Sequence, residues 1–506
     1  MSNPSGRSDP GAPYPPSAGL DPSGSTATPS DGAGQSPAPG RRFSGKTLSW
    51  PVLAWSLWDW GSAAFNAVIT TFVFTVYLTS DAFGDGADSD LGWALATSGV
   101  LIAVFAPITG QRADRTGNRT LWLGINTMLV VIASAGMFFV APSPDYLWLG
   151  LLLLAGGNVA FEFASVNYYA MLNDLSTPKN IGRVSGLGWG LGYIGGIVLL
   201  LIVFFGFIDP EVGLFGVTSE NGMDVRVSML LAAAWYAIFA IPVLWVMRRR
   251  KDEPRPPRER FQVVESYKRL FRTVANLWRT DRNTVSFLIA SAVFRDGMAG
   301  VFTFAGVIAG TVFGFSSGDV IIFGIVANVV AGIATIAFGV LDDKFGPKRL
   351  IIVSLSAMII AGLIIFLFHD RGPTVYWVFG LLLAIWVGPV QSASRTFLSR
   401  LIPKGKEGEF FGLYATTGRA ASFMAPSAYS GAILVGYYLT DAASRGAASH
   451  WGILGILTVL FVGLLLVLRV RTGVRADSAL TEAPTTTQDV PPAGCPQARP
   501  GAVGRV

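Results

Sequence analysis

The stretch that decides the fold is "GQRADRTGNR" at residues 110–119, because its pattern returns as "GVLDDKFGPKR" at residues 339–349. A glycine, an acid, a base, a second glycine and a second base recur at a constant offset of 229 residues. The matched pairs are Gly110 and Gly339, Asp114 and Asp343, Arg115 and Lys344, Gly117 and Gly346, and Arg119 and Lys348. One basic loop would merely set topology, whereas two in register indicate two similar halves.

The sequence around these loops is that of a membrane protein. Hydrophobic residues make up 51% of the 506 residues and charged residues 14%, and the mean hydropathy is +0.50. Twelve apolar runs reach the roughly 20 residues that an α-helix needs to cross the hydrocarbon core. The predicted spans are approximately 51–79, 91–111, 120–141, 146–171, 184–207, 227–247, 284–313, 319–340, 350–369, 374–398, 410–436 and 451–470.

Basic residues alternate between the two sides of these spans. The loops 111–119, 173–183, 341–349 and 399–409 carry 3, 2, 3 and 3 Lys or Arg residues, and the intervening loops carry none or one. The central loop, 248–282, carries twelve. We call the side with these loops the basic end. The positive-inside rule predicts that it faces the cytoplasm, together with both termini.

The predicted domains follow from the spans and the repeat. Pro-, Gly- and Ser-rich disordered tails at 1–45 and 473–506 flank two six-helix bundles at 46–247 and 283–472. A second pair of similar loops, "LSTPKNIGRVSG" (175–186) and "LIPKGKEGEFFG" (401–412), supports the two-fold repeat. In the linker, 248–282, apolar residues recur at helical spacing between Arg and Lys, which predicts an amphipathic helix on the membrane surface. It either fastens the two halves or binds a regulatory partner.

The first loop matches the G-x-x-x-D-R-x-G-x-R signature, so the chain resembles the major facilitator superfamily. Five further stretches resemble its vacuole-effluxer-like branch, which is named for an autophagy-related yeast amino-acid exporter. These are "DWGSAAFNAVITTFVFTVYL" (59–78), "IGRVSGLGWGLGYIGG" (181–196), "FRDG" (294–297), "DDKFGPKR" (342–349) and "VQSASRTFLSRLIPKGKEGEFFGLYATTGRAAS" (390–422). Two features depart from the branch: Gly61, Ser62 and Ala63 replace its usual Ala-Asn-Ser, and Arg295 replaces an uncharged residue.

The resemblance implies an all-α major facilitator fold whose bundles rock to give alternating access. It also implies secondary transport of a small organic solute, with neutral amino acids as the best-known cargo and efflux as the direction. A drug- or sugar-type facilitator, or a non-transporting receptor or scaffold on the same fold, are the alternatives. A solute, the lipid bilayer and a coupling proton are the expected partners of a monomeric protein.

Polar residues inside the spans are candidate site residues, because charge in hydrocarbon is costly. The set predicted for the substrate and proton pathway is Asp59, Asn66, Asn158, Glu162, Arg295, Asp296, Asn328, Gln391, Arg395 and Arg419. Glu162, deepest in its span, and Asp296 are the hypothetical proton carriers. Asp59 is expected near the cytoplasmic interface beside the interface aromatic Trp58, as a structural pair or cap.

Two arginines and a glycine stripe leave alternatives open. Arg395 either snorkels, gates or binds substrate, and Arg419 holds the carboxylate of a substrate or of Glu162. The glycines Gly188, Gly192 and Gly196 recur every four residues and allow close helix packing. They form either a sliding surface against the other half or a tight structural contact.

Several protein classes are excluded by what the sequence lacks. The single cysteine, Cys495, lies in a tail, and the two histidines, His369 and His450, are predicted to be solvated at loop edges. We therefore expect no metal site, no cofactor and no enzymatic activity, and the absence of a G-x-x-x-x-G-K-[ST] loop argues against an ATP-driven pump. The net charge of +6 lies at helix ends and does not indicate nucleic-acid binding. The 30 Arg against 8 Lys fit a bacterial plasma membrane.

Overall fold

The computed structural model describes residues 46–248, 263–441 and 444–471. The predicted tails, 1–45 and 473–506, therefore fall outside the described residues. Residues 249–262 of the predicted linker also fall outside them. The boundaries of the domains stay predictions.

Every regular element in the described ranges is helical. The α-helices are α1 (Trp50–Ala63), α2 (Phe74–Leu78), α3 (Ala87–Thr116), α4 (Arg119–Gly136), α5 (Leu147–Ala170), α6 (Leu172–Leu175), α7 (Ile181–Val203), α8 (Met223–Val246), α9 (Val263–Thr280), α10 (Arg282–Thr311), α11 (Ser317–Phe345), α12 (Pro347–Leu367), α13 (Pro373–Leu401), α14 (Glu407–Ala421), α15 (Met424–Leu439) and α16 (Trp451–Arg469). A π-helix, Ala64–Phe72, joins α1 to α2, so the first predicted span is one crossing with an altered helical pitch.

Eleven of the described helical segments are long and apolar enough to cross a membrane. The predicted span 410–436 is different, because α14 and α15 are separate helices of 15 and 16 residues. Pro426 explains the break: a proline has no N–H to donate, and its ring clashes with the carbonyl four residues earlier, here that of Ser422. The eleventh crossing is thus a discontinuous helix.

Two hydrophobic cores hold the helices together. One draws all its buried residues from Val52 to Met247. The other draws most of them from Leu277 to Val470 and adds a few from α3 and α5. The helix α9 lies beside α3, where the Tyr267 hydroxyl donates a hydrogen bond of 2.9 Å to the Val104 carbonyl.

The glycines of α7 divide between two faces. A Cβ built on Gly188 would lie 2.7 Å from the Trp55 ring, and Gly192 and Gly196 likewise face α1. The opposite face meets α11, where a Cβ on Gly186 would lie 2.7 Å from the Thr335 carbonyl oxygen. The prediction that Gly188, Gly192 and Gly196 form a sliding surface against the other half is therefore wrong, because these glycines pack against α1 of their own half.

Candidate functional site

The first polar contact between the two halves joins the end of α3 to the beginning of α14. The carboxylate of Asp114 accepts backbone hydrogen bonds from Gly408 at 3.0 Å and from Glu409 at 2.9 Å. The positive end of a helix dipole stabilises a carboxylate at this position. We call this contact the α3–α14 clamp. A Cβ built on Gly110 would lie only 2.0 Å from the Gly408 carbonyl oxygen, so the two backbones touch.

Arg119 braces the α3–α14 clamp. Its guanidinium pairs with Asp114 at 2.8 Å, with Glu407 of α14, and with Asp174 at 3.4 Å. Gly117 makes the tight turn between α3 and α4 at a φ of 58°, a conformation that favours glycine. Arg115 lines a polar cavity beside the clamp that Arg272 of α9 also lines.

The second contact repeats the first with the halves exchanged. Asp343, at the end of α11, accepts backbone hydrogen bonds from Gly182 at 2.7 Å and from Arg183 at 3.2 Å, at the beginning of α7. We call this contact the α11–α7 clamp. A Cβ on Gly339 would lie 2.8 Å from the Gly182 carbonyl oxygen. Two further predicted loop residues complete the turn: Lys344 is exposed, and Gly346 has a φ of 85°.

Arg395 forms a third contact, on α13. Its side chain is 1% exposed, and its Nη1 lies 3.7 Å from a carboxylate oxygen of Asp59. Its Nε and Nη2 donate to the hydroxyl and carbonyl oxygens of Ser185 at 3.0 and 2.7 Å. Four aromatic rings lie 5.1 to 5.7 Å from the guanidinium carbon, a distance at which cation–π attraction acts. These are the rings of Trp55, Tyr168, Tyr169 and Trp189.

Asp59 forms a structural pair, one of the two roles that the sequence offered for it, but the aromatic residue beside it is not at an interface. Its carboxylate accepts a hydrogen bond of 3.1 Å from the Tyr168 hydroxyl, in addition to the contact with Arg395. Trp58 is 1% exposed and stacks on Tyr168 with ring centroids 4.3 Å apart, so it is a core residue and the predicted interface role is wrong. Asp59 thus pairs with a base of the opposite half.

Glu162 and Arg419 form a fourth charged contact between the halves. One Nη of Arg419, on α14, lies 3.3 Å from a carboxylate oxygen of Glu162, on α5. The side chains of Arg419 and Glu162 are 34% and 17% exposed. Glu162 is one of the two carboxylates that the sequence offered to Arg419.

Arg295 and Asp296 both support the broken helix. Arg295 lies over the ring of Tyr414, 3.8 Å from its centroid, and donates to the Tyr414 carbonyl at 3.2 Å. Asp296 accepts a hydrogen bond of 2.6 Å from the backbone N–H of Ala425, in the first turn of α15. Its carboxylate therefore caps a helix, as a side chain at a helix N-terminus commonly does.

The remaining predicted polar residues are dispersed. The side-chain amide of Asn158 donates a hydrogen bond of 2.9 Å to the Ser98 hydroxyl. The side-chain amide of Asn328 donates one of 2.8 Å to the Gly324 carbonyl of its own helix. Asn66, in the π-helix, is exposed, and Gln391 is half-buried. Asn158 and Asn328 thus make neighbour or same-helix contacts, apart from the charged residues described above.

The comparison with known families decides which kind of protein this is. The family described as "Vacuole effluxer Atg22 like" matches residues 93–477. The chain belongs to this family. The Bacillus subtilis (strain 168) protein YxiO, described as an uncharacterized MFS-type transporter, is 30% identical over 381 residues, which are 74% of this chain and 86% of YxiO. The autophagy-related protein 22 of Yarrowia lipolytica is 25% identical over 63% of this chain, and the chain spans 56% of that protein.

Solved structures place the Atg22-like chain in the major facilitator fold. A bacterial homologue of the iron transporter ferroportin, in an outward-facing state, has a TM-score of 0.61 at 12% identity and covers 84% of this chain and 98% of its own. The transporter FucP in the outward conformation has a TM-score of 0.60 at 13% identity and covers 83% and 99%. The predicted branch and the predicted twelve-helix fold are confirmed. The chain is a multi-pass membrane transporter of the major facilitator superfamily.

Sequence reasoning missed several residues of this Atg22-like site. Tyr168 and Ser185 contact Arg395, yet they lie in runs that are otherwise apolar or glycine-rich. Glu407 was recoverable, because it is an acid in the repeated stretch 401–412, three residues before the predicted span 410–436. Asp342, beside the matched Asp343, was overlooked because the repeat has no acid at its counterpart, Ala113.

Proposed function

We propose that this chain is a secondary active transporter that exports a small zwitterionic solute, such as an amino acid, across a bacterial plasma membrane by alternating access. The basic end faces the cytoplasm, with both termini, and the functional unit is a monomer. In the present conformation the two clamps and Arg395 close that end. The fold and family support transport as such, and the substrate, direction and coupling are the proposal.

The observation that carries the substrate class is the mixed charge between the halves. Arg419 and Glu162 lie 3.3 Å apart across the half-to-half boundary, and both are partly exposed. Arginine binds a carboxylate through two parallel hydrogen bonds, and a carboxylate binds an ammonium group. A zwitterion can replace both contacts at once, with its carboxylate on Arg419 and its ammonium on Glu162.

Proton coupling follows from the same pair. A proton on Glu162 neutralises the partner of Arg419, which frees the guanidinium for the carboxylate of the solute. Asp296 is the weaker carrier, because its carboxylate already accepts the Ala425 N–H. We therefore place the coupling proton on Glu162. The proton and the solute then both bind at the same ion pair, that of Glu162 with Arg419.

The test is transport in proteoliposomes with radiolabelled neutral amino acids under an imposed pH gradient. Glu162→Gln should exchange solute but no longer respond to the gradient, and Arg419→Gln should lose transport at least tenfold, the effect of about 1.4 kcal/mol. Glu211→Gln, at an exposed acid outside the pair, is the matched control and should behave as wild type. If Glu162→Gln keeps the wild-type response to the gradient, the coupling role is refuted.

The alternatives give different results in the same vesicles. If the protein transports sugars or cationic drugs but no amino acids, the proposed substrate class is wrong, whereas the conclusion that the protein is a transporter stands. A receptor or scaffold would transport nothing and would lose its activity on removal of the tails, whereas a transporter without residues 1–45 and 473–506 should still move its solute.

A further inference from the structure

Asp342 and Asp343 are adjacent carboxyl groups at the end of α11 in unlike surroundings. Asp343 accepts two backbone N–H groups at the beginning of α7 and pairs with Arg183 at 3.3 Å. Asp342 is 1% exposed and has the Thr396 hydroxyl at 2.5 Å and one guanidinium nitrogen of Arg400 at 3.4 Å. The surroundings of Asp343 suit a negative charge, whereas those of Asp342 offer a buried carboxylate little stabilisation.

The hydrogen bonds around Thr396 indicate which form Asp342 takes. The Thr396 hydroxyl oxygen lies 2.5 Å from a carboxyl oxygen of Asp342 and 3.0 Å from the carbonyl oxygen of Ala393. A hydroxyl has one hydrogen to donate. If Asp342 is ionised, two acceptors compete for that hydrogen. If Asp342 carries a proton, it donates to Thr396, and Thr396 donates to Ala393, so that both contacts are satisfied.

The charges that face Asp342 favour the neutral form as well. Arg400 is shared, since its Nη2 also lies 3.8 Å from Asp343, and the neighbouring Asp343 repels a second negative charge. The helix α7 presents backbone here: a Cβ on Gly182 would lie 2.7 Å from the Asp342 Cβ. Two carboxylates that share one cation seldom both ionise when one is buried.

The repeat shows that the turn does not require this acid. The counterpart of Asp342 in the first half is Ala113, which is fully buried in the same place before the matched Asp114. We propose that Asp342 is a proton-binding site of the basic end: it holds a proton while that end is closed and releases it to the water on the basic side when the end opens. This goes beyond the proposed function, because it does not require protons to drive transport.

The predicted consequence is a pH-dependent closure. Acid on the basic side favours the closed state, because only that state keeps the proton buried against α7. For one proton, linkage limits the change in the closed-to-open ratio to about tenfold per pH unit. The proton coupling proposed for Glu162 is separate from this pH-dependent closure, since Glu162 lies on α5 and pairs with Arg419 of α14.

The test measures the opening of the basic end without any substrate. Lys179→Cys and Lys404→Cys, two exposed positions in opposite halves, carry spin labels in a full-length Cys495→Ser background. Distances are recorded in lipid nanodiscs from about pH 5 to about pH 9, a range that brackets physiological pH. The short-distance fraction of the wild-type background should rise as the pH falls, by up to tenfold in closed-to-open ratio per unit.

Variants decide whether Asp342 is responsible. Asp342→Asn, which mimics the protonated form, should stay closed at every pH, and Glu211→Gln should follow the wild type. A wild-type distribution that ignores pH, or an Asp342→Asn variant that keeps the wild-type pH dependence, would overturn the proposal. If Asp342→Asn does not fold, Asp342→Ala, which copies Ala113, should likewise lose the pH dependence. Loss of amino-acid transport with this pH response intact would count against the proposed function alone.

Discussion

Closure of the basic end depends on a glycine that no other residue can replace, and Gly110→Ala tests this. A Cβ on Gly110 would lie 2.0 Å from the Gly408 carbonyl oxygen, and 2.4 Å from its carbonyl carbon. Both atoms belong to the backbone of α14, so no side-chain rotation relieves the overlap. An ordinary contact needs at least 3.4 Å, and the helices must therefore separate by about 1.4 Å.

This displacement breaks the α3–α14 clamp. The hydrogen bonds from Gly408 and Glu409 to Asp114 measure 3.0 and 2.9 Å, and adding the separation takes both beyond hydrogen-bond length. A hydrogen bond to a charged group contributes about 1.5–3 kcal/mol, so the closed state loses about 3–6 kcal/mol. At tenfold per 1.4 kcal/mol, the closed-to-open ratio falls by about 10² to 10⁴.

The assay is the spin-label distance between positions 179 and 404 in the Cys495→Ser background, supported by exchange of solute in proteoliposomes. Gly110→Ala should shift the distribution to long distances and slow the exchange. Gly99→Ala is the matched control, because Gly99 lies on the same helix and has open space where its Cβ would be. A monodisperse Gly110→Ala protein with the wild-type distance distribution would refute the steric argument.

Three further predictions concern the pair of Asp59 with Arg395, the stacked histidines His369 and His450, and the break between α14 and α15. Arg395→Gln leaves Asp59 buried without its cation and should cost about 3–5 kcal/mol of stability, seen as a lower melting temperature that Asp59→Asn partly restores in the double variant. The rings of His369 and His450, which are half-buried at loop edges, stack 3.9 Å apart. Burial, and then the facing His369, lower the pKa of His450 from its usual value of 6.5, so its neutral form is favoured on folding. This contribution is complete above about pH 6.5 and is lost as the pH falls, and in thermal melts at stepped pH the wild type should lose more stability than His450→Gln. Pro426→Ala should supply the missing N–H, join α14 to α15, raise the melting temperature and slow transport in the vesicle assay.

The sequence predicts the crossings well because each depends on local composition. The spans and the alternation of basic loops follow from hydropathy and from Lys and Arg counts, and the repeat at 110 and 339 needs only spacing. The break between α14 and α15 at Ser422 cannot be predicted from local composition in the same way. Pro107, Pro242 and Pro389 lie inside continuous helices, so a proline alone does not reveal which crossing is interrupted.

The candidate site is harder to predict, because it depends on how helices rotate against one another. Gly188 and Gly186 each belong to a row of glycines spaced four residues apart on α7, and spacing does not tell which row faces α1 and which faces α11. The pair of Asp59 with Arg395 joins residues 336 positions apart, and two hydrogen bonds to Ser185 hold the arginine there. Periodicity identified the charged residues and left their partners open.

The two clamps together explain why closure involves both halves at once. Asp114 of the first half caps α14 of the second, and Asp343 of the second half caps α7 of the first, so each half holds a helix terminus of the other. A rigid rotation that separates the halves at the basic end must break both clamps and the Arg395 contact in one step. One departure from this symmetry is Asp342, which stands where the first half has Ala113. Protonation can therefore bias the whole closure through one of its two clamps, while the other supplies a contact that does not depend on that carboxyl group.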